Sequence, residues 1–259
     1  MEPEPQLPEP MADGVIRIGV LTPHAAIGPE AEFPAMAPGR VVSCVARVPS
    51  DAATVVGPGS TPTNPSELRA LTAPELIDPA AELLGAPDVI GYASTSSAYA
   101  IGFDAEVALL SRLSRRVGIP VLATCASAVL ALQVLDVERI ALVDPPWFDA
   151  ELNELGAAYF RSQGFDVVSS ASADLSQDPR QIDAASVFEW TSRQVSDDVE
   201  AVFIGGNGFR AAGAIAPLED ALGRPVLTSN QALLWNLLAH AGATFRVRGY
   251  GQLFAHEPG

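Results

Sequence analysis

The chain has 259 residues, 48% hydrophobic and 18% charged, with a mean hydropathy of +0.23, a globular composition long enough for one large domain or two compact lobes. Its net charge is −16, and its 15 basic residues are all arginine. The lack of lysine excludes Schiff-base chemistry and a P-loop NTPase, the acidity makes nucleic acid a poor partner, and no apolar run reaches the roughly 18 residues of a membrane span.

Met1 to Gly14 carries four prolines and four acids with no apolar core, which predicts a disordered acidic tail rather than a signal peptide and so a cytoplasmic protein. Beyond it, apolar β-branched runs predict strands over Val15–Pro23, Arg40–Val48, Asp88–Ser94 and Pro120–Thr124. A second set covers Glu138–Asp144, Asp166–Ser170, Ala201–Gly205 and Pro225–Ser229. Helical periodicity lies between them, over Asp104–Val117, Ala126–Leu135, Asp149–Gln163 and Gln231–Ala241. Strands apolar on both faces, alternating with helices, indicate parallel βαβ units.

The two sets resemble one another. Arg17-Ile-Gly-Val-Leu-Thr-Pro23 matches Arg139-Ile-Ala-Leu-Val-Asp-Pro145. Asp88–Thr95 aligns with Glu200–Asn207, and Pro120–Thr124 with Pro225–Ser229. Three matches in order predict a duplication: two pseudo-symmetric lobes, each a four-stranded parallel sheet flanked by helices, with the site in the cleft between them. The expected first lobe is 15–124 plus 231–259, and the second is 125–230. Ligands of parallel sheets bind beyond the C-terminal strand ends.

Those ends carry the candidate residues. Ser94-Thr95-Ser96-Ser97 follows the third strand, where hydroxyls either cap a helix or hold an anion beside its first amides. The duplicated turn is Gly205-Gly206-Asn207-Gly208, a tight turn or an anion nest. Its formal dinucleotide fingerprint, Gly206-x-Gly208-x-x-Ala211, lacks the ribose-binding acid after the next strand. His24 follows the first strand and is a candidate acid–base group. Thr124 and Asn230 follow the fourth and eighth strands. Cys125 reads as packing, Trp147 as a pocket wall or a core filler, and nothing selects Tyr99 or Asp104. Two cysteines and three scattered histidines give no disulfide framework and no metal site.

The motifs Thr22-Pro-His-Ala-Ala26, Gly91-Tyr-Ala-Ser-Thr-Ser96, Ala123–Val129, Arg139–Val143, Phe203–Arg210, Thr228–Ala232 and Gly249–Phe254 together resemble the aspartate/glutamate racemase superfamily, in the branch of arylmalonate decarboxylase and maleate cis–trans isomerase. The resemblance implies two pseudo-symmetric α/β lobes with the site between them, no cofactor, and a small carboxylate substrate. It places the family's cysteines at Ser94 and Gly206, so this chain has a thiol at neither, and it puts Pro146 where the family has a tyrosine. Thr95 and Ser96 would hold the carboxylate, together with the backbone around Asn207 and Gly208.

The expectation is therefore a cofactor-independent lyase or isomerase of a small mono- or dicarboxylate. Ser94 and His24 would be catalytic. Thr95, Ser96, Gly206, Asn207, Gly208, Thr124 and Asn230 would bind substrate. The alternatives are a non-catalytic carboxylate-binding relative, or a hydratase or hydrolase in which His24 activates water. Neither nucleic acid nor membrane is an expected partner, and homo-oligomerisation stays open.

Overall fold

The computed structural model describes residues 14–49 and 64–258, so the expected acidic tail, Gly14 apart, lies outside the described residues. Eight strands form two parallel sheets. The first contains β1 (Ile16–Thr22), β2 (Val41–Arg47), β3 (Val89–Tyr92) and β4 (Val121–Ala123), in the order β2-β1-β3-β4. The second contains β5 (Arg139–Asp144), β6 (Asp166–Ser172), β7 (Ala201–Ile204) and β8 (Val226–Thr228), in the order β6-β5-β7-β8. All pairings are parallel, with Ile18 opposite Val89 in one sheet and Ile140 opposite Ala201 in the other. The central strands β3 and β7 are buried at every residue, as a strand covered on both faces must be.

Seven of the eight strands fall inside the runs expected from sequence. β6 continues two residues further, to Ser172. It is a half-exposed edge strand with a register irregularity beside Ile140 and Ala141, so its outer residues need no apolar run to stay paired.

The duplication is written into the backbone hydrogen bonds. The Arg17 N–H donates to Asp88 at 2.7 Å and the Arg139 N–H donates to Glu200 at 3.0 Å. At the other strand ends, the Ala93 N–H donates to the Leu21 carbonyl and the Gly205 N–H to the Val143 carbonyl, both at 2.8 Å. The two sheets therefore present equivalent turns, after Ala93 and after Gly205.

The helices are α1 (Pro29–Met36), α2 (Pro65–Ala70), α3 (Pro74–Glu82), α4 (Thr95–Ile101), α5 (Phe103–Val117), α6 (Thr124–Val134), α7 (Ala150–Arg161), α8 (Ala184–Gln194), α9 (Ile215–Leu222) and α10 (Ser229–His240). α10 starts two residues before the expected helix because Thr228 and Gln231 form a reciprocal capping box. It follows β8 of the second sheet, yet Leu233, Leu234 and Leu237 pack with Ile18, Val20 and Val89 of the first. α6 follows β4 of the first sheet and joins a core containing Ile140, Leu142 and Phe203 of the second. This exchange brings the starts of α6 and α10 to the contact between the sheets.

Candidate active site

The turns after β3 and β7 face each other and are joined by side chains. The Thr95 N–H and Thr95 Oγ1 both donate to Asn207 Oδ1 at 3.1 Å. The Gly206 N–H donates to Thr95 Oγ1 at 3.1 Å. The pseudo-symmetry extends to the helix starts, because Thr95 Oγ1 lies 2.9 Å from Ser229 Oγ and Asn207 Nδ2 donates to Thr124 Oγ1 at 2.9 Å. Each turn thus reaches the hydroxyl that opens a helix of the opposite half. Asn230 closes the network: its Oδ1 accepts from Asn207 Nδ2, and its Nδ2 donates to the Asn207 carbonyl, both at 2.9 Å.

Asn207 Oδ1 therefore occupies a cradle of donors that suits a carboxylate oxygen. α4, the helix at this cradle, has only seven residues, so its dipole adds little and the polar groups of Thr95 and its neighbours are what hold the acceptor. The Ser96 side chain is fully buried, and its Oγ has no partner among the described residues. A buried hydroxyl without a partner is costly, which makes Ser96 the donor left available to a ligand.

His24 comes from the loop after β1. Its Nε2 lies 3.1 Å from Ser94 Oγ, and Ser94 Oγ donates to Ser97 Oγ at 2.7 Å. A hydroxyl has one proton to give, so the imidazole donates from Nε2 and leaves Nδ1 a bare acceptor. Nδ1 is buried without a partner. Burial, reinforced by the Arg47 guanidinium, pushes the His24 pKa down to about 4, and the ring is neutral at pH 7. Arg47 also fixes the loop: its guanidinium donates to the His24 carbonyl at 2.7 Å and to Glu30 Oε1 at 2.6 Å.

His24, Thr95, Ser96, Gly206, Asn207 and Gly208 line one cavity together with Trp147 and Phe148, so it has a polar and an aromatic wall. Its volume, about 10 Å³ for a water-sized sphere, suits one water. The cleft expected from sequence is thus narrowed to this small cavity. Residues 24–28 contribute to the narrowing. Gly28 lies so near the Asn207 turn that a Cβ there would stand 2.2 Å from the Asn207 carbonyl oxygen.

Of the other sequence candidates, Ser94, Thr124 and Asn230 do not line the cavity. Ser94 stands behind His24 and caps α4 by accepting from the Ser97 N–H. Thr124 and Asn230 hold Asn207. Gly206 has φ +83°, and a Cβ there would stand 2.7 Å from the Pro145 ring, so a side chain at this position is strained and needs Pro145 or the turn to shift. Cys125 is buried with its thiol 3.8 Å from the Thr95 carbonyl, and burial pushes its pKa well up, which makes it unreactive. Tyr99 is buried and donates to Asp144 at 3.3 Å, while Asp104 is exposed on the surface. Two contributors had no sequence signal. Glu32 is buried and accepts from Asn230 at 2.7 Å and from the Ala212 N–H at 2.9 Å. Arg47 reaches the site only because β2 lies beside β1.

Among the described residues no group of three or more His, Cys, Asp or Glu could hold a metal ion, and no helix is long and apolar enough to cross a membrane.

Fold and site together define a two-lobed parallel α/β protein with a small polar-and-aromatic cavity where the two strand-end turns meet. The chain belongs to the arylmalonate decarboxylase family, whose model matches residues 75–254. It is 25% identical over 171 residues to the arylmalonate decarboxylase of Bordetella bronchiseptica, a match covering 64% of this chain and 70% of that protein. Its fold is also that of the maleate isomerase of Pseudomonas putida S16 (TM-score 0.80, 23% identity, 93% of this chain and 98% of that one). A crystal structure of arylmalonate decarboxylase gives a TM-score of 0.73 at 21% identity, covering 92% of this chain and 99% of that one.

Proposed function

We propose that this chain is a cofactor-independent enzyme that decarboxylates a small malonate-type acid, with His24 as the proton carrier. The observation that carries the reading is the acceptor cradle: Asn207 Oδ1 sits on the Thr95 N–H and Oγ1, beside the partnerless Ser96 Oγ and His24 Nδ1. Substrate enters when residues 24–28 move and one carboxylate replaces the Asn207 oxygen. The second carboxylate then lies against Trp147 and Phe148, where it is poorly solvated.

Breaking the carbon–carboxylate bond releases CO₂ and leaves the electron pair as an enediolate, whose oxygens remain on the Thr95 and Ser96 donors. A proton closes the reaction at carbon. In the free protein His24 is neutral, and a bound dianion favours its protonation at Nδ1. His24 then gives that proton to the carbanion carbon and is recharged from solvent, so one proton is consumed per turnover. Ser94 positions the ring. This route needs no thiol adding to an alkene, which fits a chain with Ser94 and Gly206 at the two family positions.

A second reading, a carboxylate-binding relative without turnover, is favoured by the small cavity and by Asn207 filling the cradle itself. The same small cavity, with room for a water beside His24, favours hydration or hydrolysis. Incubation with phenylmalonate, 2-alkylmalonates and maleate in D₂O, followed by NMR, separates these. Decarboxylation with one deuterium at the α-carbon is expected, with a loss of about 10²–10⁴ in rate for His24→Ala and a further loss for Thr95→Ala. Binding without turnover or exchange favours the second reading. Turnover untouched by His24→Ala removes His24 from the mechanism.

A further inference from the structure

A second pocket lies on the outer side of the loop that helps to narrow the cleft. It is lined by Ala25, Ala26, Ile27, Asp178, Pro179, Arg180 and Arg210 and has a volume of about 190 Å³, below that of drug-sized sites and suited to a small fragment. We propose that this pocket is a subsite for a further anionic group, beyond the carboxylates held in the cavity, carried at the far end of an apolar arm of the substrate, with Arg210 as the residue that reads it. The inference rests on the carboxylate reading of the cavity.

Position is the first support. The pocket and the cavity share one thin wall. His24 faces the cavity and residues 25–27 face the pocket. Ala26 Cβ lies 2.9 Å from where a Gly208 Cβ would stand, so movement of this loop joins the two spaces. A ligand spanning them would pass Ala25, Ala26 and Ile27, all apolar, and Ile27 is exposed to meet it.

Charge is the second. Arg180 and Asp178 satisfy each other, with Arg180 donating from Nε at 2.9 Å and from Nη2 at 2.7 Å. Arg210 donates to the Pro179 carbonyl at 2.9 Å and forms no salt bridge among the described residues. The pocket therefore holds one guanidinium without a direct carboxylate contact, its nearest charge influence being the buried Glu32, in a chain of net charge −16. Guanidinium matches a carboxylate or phosphate in shape as well as charge.

Backbone conformation is the third. Arg210 has φ +51° and is one of two non-glycine residues in the left-handed region among those described. A glycine would hold that turn without strain, so the backbone cost at Arg210 is borne by a residue whose side chain is in use, at the least through its bond to the Pro179 carbonyl.

The test uses glutarate and its monomethyl ester, which differ by one charge at nearly equal size, titrated by calorimetry and by NMR of the arginine Nε–H groups. The intact protein should bind glutarate at least about tenfold more tightly than the ester, with the Arg210 Nε–H shifted. Arg210→Met should abolish that preference while keeping affinity for the ester. Arg210→Gly, which relieves the backbone, should do the same in a protein that folds at least as well. Equal binding of both ligands by the intact protein, or a preference that survives in both variants, overturns the subsite and leaves the carboxylate reading standing. Failure to bind either ligand overturns both.

Discussion

Glu106 is fully buried, with Tyr159 bonded to one carboxylate oxygen and no partner for the other, and burial pushes its pKa up to about 7 from an ordinary 4.5. The folded protein therefore holds a proton that the unfolded chain releases. The resulting stabilisation is complete below the unfolded value and is lost as pH rises through 7. Asp144 behaves alike, rising from 3.8 to about 7 by burial. His24 runs the other way: with its pKa pushed from 6.5 to about 4, it contributes fully above pH 6.5 and loses that contribution as pH falls toward 4. Glu106→Gln keeps an acceptor for Tyr159 and removes the charge. It should stabilise the protein at pH 8 by up to about 3 kcal/mol and by almost nothing at pH 4. Urea unfolding at the two pH values checks this, and a difference independent of pH would contradict it. Neither acid was legible in the sequence as a buried group: Glu106 sits in an amphipathic helix, and what meets its carboxyl is Tyr159 of α7, 53 residues further on.

The loop from His24 to Gly28 is the element on which access depends. It is fastened by Arg47 from β2 and by the Gly28 N–H donating to Glu30 at 2.9 Å. Its inner side presses on the Asn207 turn. Gly28→Ala places a methyl against the Asn207 carbonyl oxygen. The loop must then lift, at a cost of about 1–3 kcal/mol. Hydrogen exchange should speed up at residues 24–28 and 206–208 and stay unchanged in the central strands β3 and β7. Unchanged exchange at 206–208 would mean that this loop does not cover the turn. The sequence located both the loop and the turn, since each follows a strand of recognisable apolar character. It gave no sign of their contact, which joins residues some 180 positions apart across the two sheets.

At the scale of the molecule, one hydrophobic cluster contains Ile90 and Tyr92 from the first sheet together with Leu142 and Phe203 from the second. Asn236 of α10 donates to Ser127 of α6 at 3.0 Å, so the two exchanged helices are tied to each other as well. Neither sheet can lose its cover without exposing part of the other's core. Calorimetry should accordingly give a single transition whose van't Hoff and calorimetric enthalpies agree; two separated transitions would mean that the halves unfold independently. The twin contacts of Arg17 with Asp88 and of Arg139 with Glu200 mark the duplication but lie at exposed edges, where such pairs contribute about 0–1 kcal/mol. Burial across the sheets, rather than these pairs, holds the halves together.

By itself the sequence determined the strand pattern, the duplication and which turns carry polar side chains, because apolar periodicity and local turn chemistry are properties of neighbouring residues. Only the tertiary structure decided that Asn207 fills the Thr95 cradle, that His24 meets Ser94 as a neutral ring, that a side chain at Gly206 would be strained against Pro145 and that the cleft is narrowed to a small cavity. Each of those depends on which distant groups are brought within bonding distance and removed from water, and chain spacing does not encode that.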